Sequence, residues 1–427
     1  MSRSLSVVIL AAGRGTRMKT EAPKVLFDVC GLPALVHVTR LARSLDPARV
    51  VVVVSAGGRD ACRAAVAKDP ASGAVEFVVQ DSPLGTGHAV RAALPLLEGD
   101  SNDLLVLYGD GPLVRKSSLE RLRSRHVEQA PGASLLIAEV DDPTGLGRIV
   151  LDDKGRVERI VEELDADAAI RAIRRVNTGI VLLSNQAGRR ALLALTNQNK
   201  KGEYYLTDAT ELIRKDGHPV EAVLLDDAEE ATAFNSTAEL AAVRRLLRER
   251  IIRAHQENGV DFVDPATSYI DVDVEIGAGT RILPCTVIGK GVRIGERCSV
   301  GPFSHLRVET VLEEGAEIGN FTEVKKSVVG KNAKAKHLTY LGDARVGAGS
   351  NIGCGTITAN YDGRQKHVTI IGPGAFIGSG TVLIAPTEVG ENGITGAGAI
   401  VTKNTRIGPG EVYVGLPARR LKRKDES

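Results

Sequence analysis

From residue 270 onward an aliphatic side chain returns at every sixth position. Ile270, Ile276, Ile282, Ile288, Ile294, Val300, Leu306, Leu312, Ile318 and Val324 form ten hits in unbroken register. A period of six matches neither the 3.6-residue turn of a helix nor the two-residue alternation of a simple strand. It matches a parallel β-helix, in which short coils stack and their equivalent side chains build one continuous core. Glycine often follows the aliphatic residue, as in Ile276-Gly277, Ile288-Gly289, Ile294-Gly295, Val300-Gly301 and Ile318-Gly319, and reads as supplying unusual backbone angles at a corner. The register slips at Val329 and Val346, resumes at Ile352 and returns at Ile371, Ile377, Leu383 and Val389. Thr358 to Ile370, carrying Asn360-Tyr361-Asp362-Gly363, breaks the period and reads as a loop projecting from a binding face.

The first half follows another rule. Val7 to Ala11, Val50 to Val54, Leu104 to Tyr108, Leu135 to Val140 and Ile180 to Leu183 are short, continuously apolar runs between helix-like stretches. Runs without alternation suit strands covered on both faces, as in the mostly parallel sheet of an α/β domain. Ser236 and Glu239 then stand at capping-box spacing, and Leu240, Val243, Leu247, Ile251 and His255 recur at helical spacing until Asn258-Gly259. The expected organisation is a domain over residues 1–235, a linker helix over 236–258, a solenoid over 259–412 and a basic tail over 413–427. The tail's Arg419, Arg420, Lys422, Arg423 and Lys424 read as a solvated charge run.

Fifty-five basic residues against fifty-three acidic leave a net charge of +2, so neither nucleic acid nor an anionic membrane is expected as a partner. An aromatic share of 3% without tryptophan argues against base-stacking platforms. No apolar run reaches membrane-spanning length, and the start, Met1 to Leu10, reads as one apolar strand without a basic n-region or cleavage site, so a cytoplasmic location is expected. Cys30, Cys62, Cys285, Cys298 and Cys354 fall in no metal-ligand spacing and read as buried thiols.

The opening strand runs into Leu10-Ala11-Ala12-Gly13-Arg14-Gly15-Thr16-Arg17-Met18, with Pro23-Lys24 close behind. Glycines directly after a strand let backbone N–H groups approach phosphate oxygens. Met18 stands where a dinucleotide fingerprint needs its third glycine, and the Gly-Lys-Ser/Thr ending of a P-loop is missing. Further on lie Gln80 with Leu84-Gly85-Thr86-Gly87-His88, and Tyr108-Gly109-Asp110. Gly147-Arg148-Ile149, Glu162, Asn177-Thr178-Gly179 and Glu203-Tyr204-Tyr205-Leu206-Thr207-Asp208 follow. In the solenoid, His337-Leu338-Thr339-Tyr340-Leu341-Gly342-Asp343 is accompanied by Arg307, Lys325, Asn351 and Asn360-Tyr361.

Together these motifs resemble the family of bifunctional N-acetylglucosamine-1-phosphate uridylyltransferases and glucosamine-1-phosphate acetyltransferases, the GlmU family, over nearly the whole chain. The resemblance implies a Rossmann-like nucleotidyltransferase domain and a β-helix that winds left-handed. It implies acetylation of glucosamine 1-phosphate by acetyl-CoA, then transfer of UMP from UTP to N-acetylglucosamine 1-phosphate with release of pyrophosphate. Leu10, Ala11, Ala12, Gly13, Lys24, Gln80, Gly85, Thr86, Tyr108, Gly109, Asp110, Gly147, Glu162, Asn177 and Asn235 would hold nucleotide and sugar. Arg17 and Lys24 would neutralise the α-phosphate, and Asp110 and Asn235 would hold Mg²⁺. Gly111 stands where relatives carry valine.

For the second site the resemblance implies His337 as general base, a role within reach of imidazole titration. Arg307, Lys325, Tyr340, Asn351, Asn360, Tyr361 and Lys366 would bind the sugar phosphate. Cys354, Ser379 and Ala397 would line the acetyl-CoA channel, with Cys354 where alanine is expected and Gly415 where relatives place an arginine that contacts the coenzyme. Family proteins complete this site across a homotrimer. Two rival readings stay open: a one-function sugar-1-phosphate nucleotidyltransferase whose β-helix serves assembly or regulation, and a silent interaction module of the same build.

Overall fold

Five consecutive valines, Val50 to Val54, sit in the middle of a strand bonded on both sides, where β-branched side chains suit a surface covered above and below. The computed structural model describes residues 4–13, 15–20, 22–99, 102–199 and 202–421. It divides into two compact units, residues 1–246 and 247–427, taken separately below.

In the first unit we number the sheet strands β1 (Leu5–Ala11), β2 (Arg49–Ser55), β3 (Glu76–Gln80), β4 (Asp103–Tyr108), β5 (Ala133–Glu139), β6 (Arg148–Leu151), β7 (Val157–Val161), β8 (Arg175–Leu183) and β9 (Val220–Leu224). Their order is β9-β5-β8-β4-β1-β2-β3, with β6 and β7 attached as an antiparallel ribbon beside β8. β8 is antiparallel to β4 and β5, whereas the pairs from β4 to β3 and the β9–β5 pair are parallel. Val7, Val8, Ile9 and Val50 to Val54 are almost wholly buried, as the unbroken apolar runs predict. Sequence reading does not single out β3, β6, β7 or β9, which mix buried with half-buried or exposed residues and polar with apolar side chains.

The helix Thr237–Glu257 begins with the capping pair: Glu239 N–H donates to Ser236 Oγ at 3.2 Å. The Glu239 carboxylate accepts not from Ser236 but from Asn235 N–H, at 2.5 Å. Leu240, Val243, Leu246 and Ile252 are its buried residues; Leu247 and Ile251, expected on that stripe, are half-buried. The helix stops at Asn258-Gly259, where Gly259 adopts φ +85°.

The second unit is a three-sided coil. Three parallel sheets of two- to four-residue strands run along it, and each strand pairs with one a full turn later in sequence. The turn is 18 residues at first, as in Ile270↔Ile288 and Ile276↔Ile294. It shortens to 17 for Val311↔Val328 and Val328↔Arg345, the physical origin of the slips at Val329 and Val346. It lengthens to 25 for Arg345↔Ile370 and Asn351↔Phe376, because residues 360–368 leave the coil as a loop, shorter than the expected 358–370 since Thr358, Ala359, Thr369 and Ile370 stay in its ladders. The returning aliphatics form one buried column inside the coil. Buried hydroxyls donate to carbonyls of the following turn, as in Thr280 Oγ1 to Gly295 O (2.8 Å) and Thr310 Oγ1 to Val324 O (3.1 Å), so these corner hydroxyls are hydrogen-bonded inside the coil.

Of the five glycines named after an aliphatic, Gly301 adopts the expected left-handed angle, φ +103°, whereas Gly277, Gly289, Gly295 and Gly319 do not. The left-handed residue of each early corner lies three positions past the aliphatic, at Asp273, Gly279, Cys285, Gly291, Arg297 and Phe303. A Cβ on Gly319, by contrast, would lie 1.9 Å from Lys336 O, so at that position the small residue is required by the approach of the next turn. The buried-thiol expectation holds for Cys62 and Cys298; Cys30 and Cys285 are half-buried and Cys354 is exposed. Part of the expected basic tail is ordered: Arg419–Arg420 pairs antiparallel with Val412–Val414. Lys422, Arg423 and Lys424 lie outside the described residues. Among the described residues no helix is long and apolar enough to cross a membrane.

Two candidate active sites

In the first unit a cavity of about 450 Å³ opens at the carboxyl ends of β1, β3 and β4, the edge where open α/β sheets take their ligands. Leu10, Ala11, Ala12, Gly13, Lys24, Gln80, Gly85, Thr86, Tyr108, Asp110 and Asn235, all expected here, line it together. Lys24 is the meeting point. Its ammonium donates to Asn235 Oδ1 at 2.7 Å and to Asp110 Oδ2, an ion pair between two largely buried side chains. Gly109 N–H donates to Leu10 O at 2.9 Å and locks the carboxylate-bearing turn to the end of β1.

The Gln80 turn is held from two directions. Gln80 Nε2 lies 3.1 Å from Gly85 O and 3.1 Å from His88 Nδ1. Gly85 adopts φ +106°, and a Cβ there would lie 2.6 Å from Tyr204 O, so no other residue fits without a shift. Tyr204 N–H donates to Leu84 O and Gly87 N–H to Tyr204 O, at 2.7 and 2.8 Å. Through these bonds the 203–206 segment sets the shape of the turn.

A second cavity of about 430 Å³ shares Thr86, Tyr108 and Glu203 with the first and adds Glu162, Asn177, Asn199 and Tyr205. Gly147 O accepts from Asn177 N–H at 2.8 Å, which ties the β6 end to β8 beside Glu162. Burial, with Asp110 adding to it, pushes the Tyr108 phenol far above its ordinary range, so it stays a neutral hydrogen-bonding group between the cavities. Arg17 does not join this assembly: it is exposed and does not line either cavity.

One residue of this site escapes sequence reading. Glu230, 2% exposed, lines the first cavity and accepts from Arg115 N–H (2.8 Å) and Ser118 Oγ (2.9 Å) at the start of the helix Lys116–Gln129. It thereby joins the strand end that carries Asp110 to the segment that carries Asn235. Within Asp226-Asp227-Ala228-Glu229-Glu230 it reads as part of a solvated acidic run, and no spacing rule singles it out.

On the coil the expected residues gather in two columns. Ala335, Ile352, Ile377 and Thr395 pair in register, which puts His337, Cys354, Ser379 and Ala397, each two residues further on, at one corner of successive turns. Gly380 N–H to Cys354 O and Gly398 N–H to Ser379 O, both 2.7 Å, hold that stack. All four residues are exposed. Asn351 lies on the strand just before this corner.

Arg307 and Lys325 form the second column at the next corner, with Lys325 paired to Gly342. Arg307 Nη1 donates to Glu323 Oε1 at 2.7 Å. The Lys366 ammonium beside it, with Arg307 contributing, holds Lys325 below the usual lysine range. Arg307, Lys325 and Lys366 thus bring three cations to one corner, with Glu323 and Asp343 beside them. Asn360 donates through Nδ2 to Asp343 Oδ2, and Tyr361 bridges to Lys366 across the projecting loop. Tyr340 lies on the face between the columns, its ring against Gly342.

A nucleotide-sized cavity on a mostly parallel sheet, followed by polar columns on a hexapeptide coil, defines a two-unit transferase. A MobA-like NTP transferase domain matches residues 7–257, and Bacterial transferase hexapeptide (six repeats) matches residues 273–308. The chain is 42% identical over 417 residues to the Bifunctional protein GlmU of Pelotomaculum thermopropionicum, covering 90% of each. To the proteins of that name from Geobacillus thermodenitrificans and Lactobacillus delbrueckii subsp. bulgaricus it is 40% and 39% identical, covering 98% of this chain and 96% of each relative. The chain belongs to the GlmU family, whose coil is a left-handed β-helix. It is a bifunctional enzyme of UDP-N-acetylglucosamine synthesis, a nucleotidyltransferase and an N-acetyltransferase, and the one-function reading falls away.

Proposed function

We propose that the two columns on the coil acetylate glucosamine 1-phosphate and that the paired cavities of the first unit then uridylylate the product. The observation that carries this reading is the convergence of Asp110 and Asn235 on one ammonium at the mouth of a cavity closed by the Gln80 turn.

Uridylyl transfer depends on positioning and on neutralising charge at the α-phosphate. Gln80 and the Gly85-Thr86 turn orient the base, Glu162 and Asn177 the sugar, and Lys24 supplies positive charge where the phosphates meet. Two oxygens aimed at a single cationic point suit Mg²⁺, a hard cation that takes oxygen ligands and keeps several waters, so Asp110 and Asn235 would hold it. Mg²⁺, when bound, supplies charge stabilisation to the phosphate oxygens. Arg17, exposed on its turn, would have to swing inward to reach the same phosphate.

In acetyl transfer His337 takes the proton as the sugar amine attacks the thioester carbon; the carbon–nitrogen bond forms and CoA leaves as the thiol. Arg307, Lys325 and Lys366 grip the phosphate through charge-assisted bonds, while Tyr340, Asn351, Asn360 and Tyr361 orient the ring. Cys354, Ser379 and Ala397 line the path of the coenzyme along the corner that ends at His337. Glucosamine 1-phosphate carries its amine and phosphate on neighbouring ring carbons. Within one chain His337 and the Lys325 corner stand at opposite ends of one face of the coil, the face carrying Tyr340–Gly342. That separation supports a homotrimer in which one chain's base meets another chain's phosphate grip. Small-molecule substrates and a cytoplasmic location complete the reading.

The test is an assay of purified protein with glucosamine 1-phosphate, acetyl-CoA and UTP, following free CoA and pyrophosphate separately, with mass measured by sedimentation. Release of pyrophosphate from N-acetylglucosamine 1-phosphate and UTP, but never of CoA from acetyl-CoA, overturns the acetyl-transfer half. A monomer with full acetyl transfer overturns the shared site.

A further inference from the structure

One carboxylate on the coil is bonded beyond anything its loop position requires. Asp362 Oδ1 accepts from Arg364 N–H (3.0 Å) and Gln365 N–H (2.8 Å), which folds the tip of the projecting loop. Its Oδ2 lies 2.7 Å from His367 Nε2, on the returning arm, and 3.3 Å from Lys403 Nζ. Lys403 belongs to a turn 41 residues further along the chain, so one side chain joins the tip, the return and the body of the coil. His367 N–H also donates to Asn360 O at 2.7 Å, which closes the loop's neck.

These bonds have a shared electrostatic consequence. The Gln365 backbone N–H first, then His367, Arg364 and Lys403, hold the Asp362 carboxyl far below the usual carboxylate range, so it is an anion wherever the enzyme works. Its partners are fixed by that charge. The loop these bonds fold also carries Asn360, Tyr361 and Lys366, the three residues read above as part of the sugar-phosphate site.

We propose that Asp362 is a positioning residue for acetyl transfer, acting through His367 and Lys403 to hold Asn360, Tyr361 and Lys366 in the geometry that receives glucosamine 1-phosphate. This rests on the reading that those three residues bind the sugar phosphate. The nine residues 360–368, which leave the coil, lose backbone freedom when the loop is fixed. Bonds made before the substrate arrives spare binding that loss, so their removal falls on affinity.

Three variants of the full-length protein, Asp362→Asn, Lys403→Met and Lys366→Met, separate the possibilities when CoA release is measured against glucosamine 1-phosphate concentration. Asp362→Asn is expected to raise KM roughly tenfold while kcat stays within about twofold, and Lys403→Met to raise KM about threefold. Thermal unfolding and pyrophosphate release from UTP should match wild type in both. If Lys366→Met raises KM and Asp362→Asn does not, the positioning role is wrong and the site reading stands. If Lys366→Met leaves KM unchanged, the site reading itself fails. A kcat that collapses in Asp362→Asn with KM unmoved also overturns the proposal.

Discussion

Lys24 and Asn235, 211 residues apart, share a 2.7 Å hydrogen bond, and the same ammonium is paired with Asp110. The cation of a side chain thus lies between the two oxygens proposed to hold a divalent metal. Removing Mg²⁺ with a chelator should abolish pyrophosphate release and leave CoA release intact. Asp110→Ala should cost uridylyl transfer at least roughly a hundredfold, the scale of several kcal/mol of charge stabilisation, with no effect on acetyl transfer. An uridylyl rate indifferent to the chelator would remove Asp110 and Asn235 from the metal.

Glu230 accepts from a helix-terminal N–H and from Ser118 in a buried setting. Glu230→Ala leaves both donors without that partner and should destabilise the first unit by about 1–3 kcal/mol per stranded group. Glu230→Gln, which keeps a carbonyl oxygen for one of them, should lose less. Urea unfolding followed by a first-unit probe reads the difference, and equal loss in the two variants would deny the bonds their role.

His337→Ala should lower acetyl transfer roughly 10²–10⁴-fold, the usual contribution of a positioned base, without altering uridylyl transfer from N-acetylglucosamine 1-phosphate. His337 is exposed on its corner, so its truncation removes no core packing. Retained CoA release would dismiss it as the base.

The Lys325 ammonium is depressed by Lys366, so the folded chain holds that proton less firmly than the unfolded chain. The sign follows: the repulsion is fully present below the depressed value and is relieved as pH rises from there towards the ordinary lysine value of about 10.4. A phosphate dianion between the cations reverses it. Inorganic phosphate at pH 7 should therefore raise the thermal midpoint of wild type more than that of Lys366→Met, and the gap should shrink above pH 10. An equal rise in both proteins at pH 7 would contradict it.

Gly319 and Gly289 occupy equivalent places after an aliphatic residue, yet their surroundings differ. An added Cβ would lie 1.9 Å from Lys336 O at the first and 3.4 Å from Leu306 O at the second. Gly319→Ala should cost on the order of 1–3 kcal/mol through displaced backbone, and Gly289→Ala far less. Chemical denaturation of the coil distinguishes them; identical midpoints would show that the turns adjust freely.

Why some of this was legible in the sequence and some was not follows from the range of the interactions. The six-residue period announces the coil because each turn repeats one local environment, and Val50 to Val54 announces a central strand because both its faces are covered. Strand Val157–Val161, with Glu158 and Arg159 exposed, carries no comparable pattern. The cavity residues were readable through their motifs, whereas Glu230 and Asp362 act through partners more than a hundred and up to 41 positions away, which no local window joins. Reading glycine after an aliphatic as a torsional need missed the neighbouring turn, which exists only once the chain is wound. His367 stood in no recognisable motif, and only the folded loop brings it to Asp362.

The coil admits 25 residues between Asn351 and Phe376 and still pairs them, then returns to 18 between Phe376 and Ile394. Its ladder bonds therefore close beneath an excursion of nine residues and resume in register on its far side. Grafting a foreign segment between Asn360 and His367 would recast what the enzyme accepts while leaving the winding of its neighbours untouched.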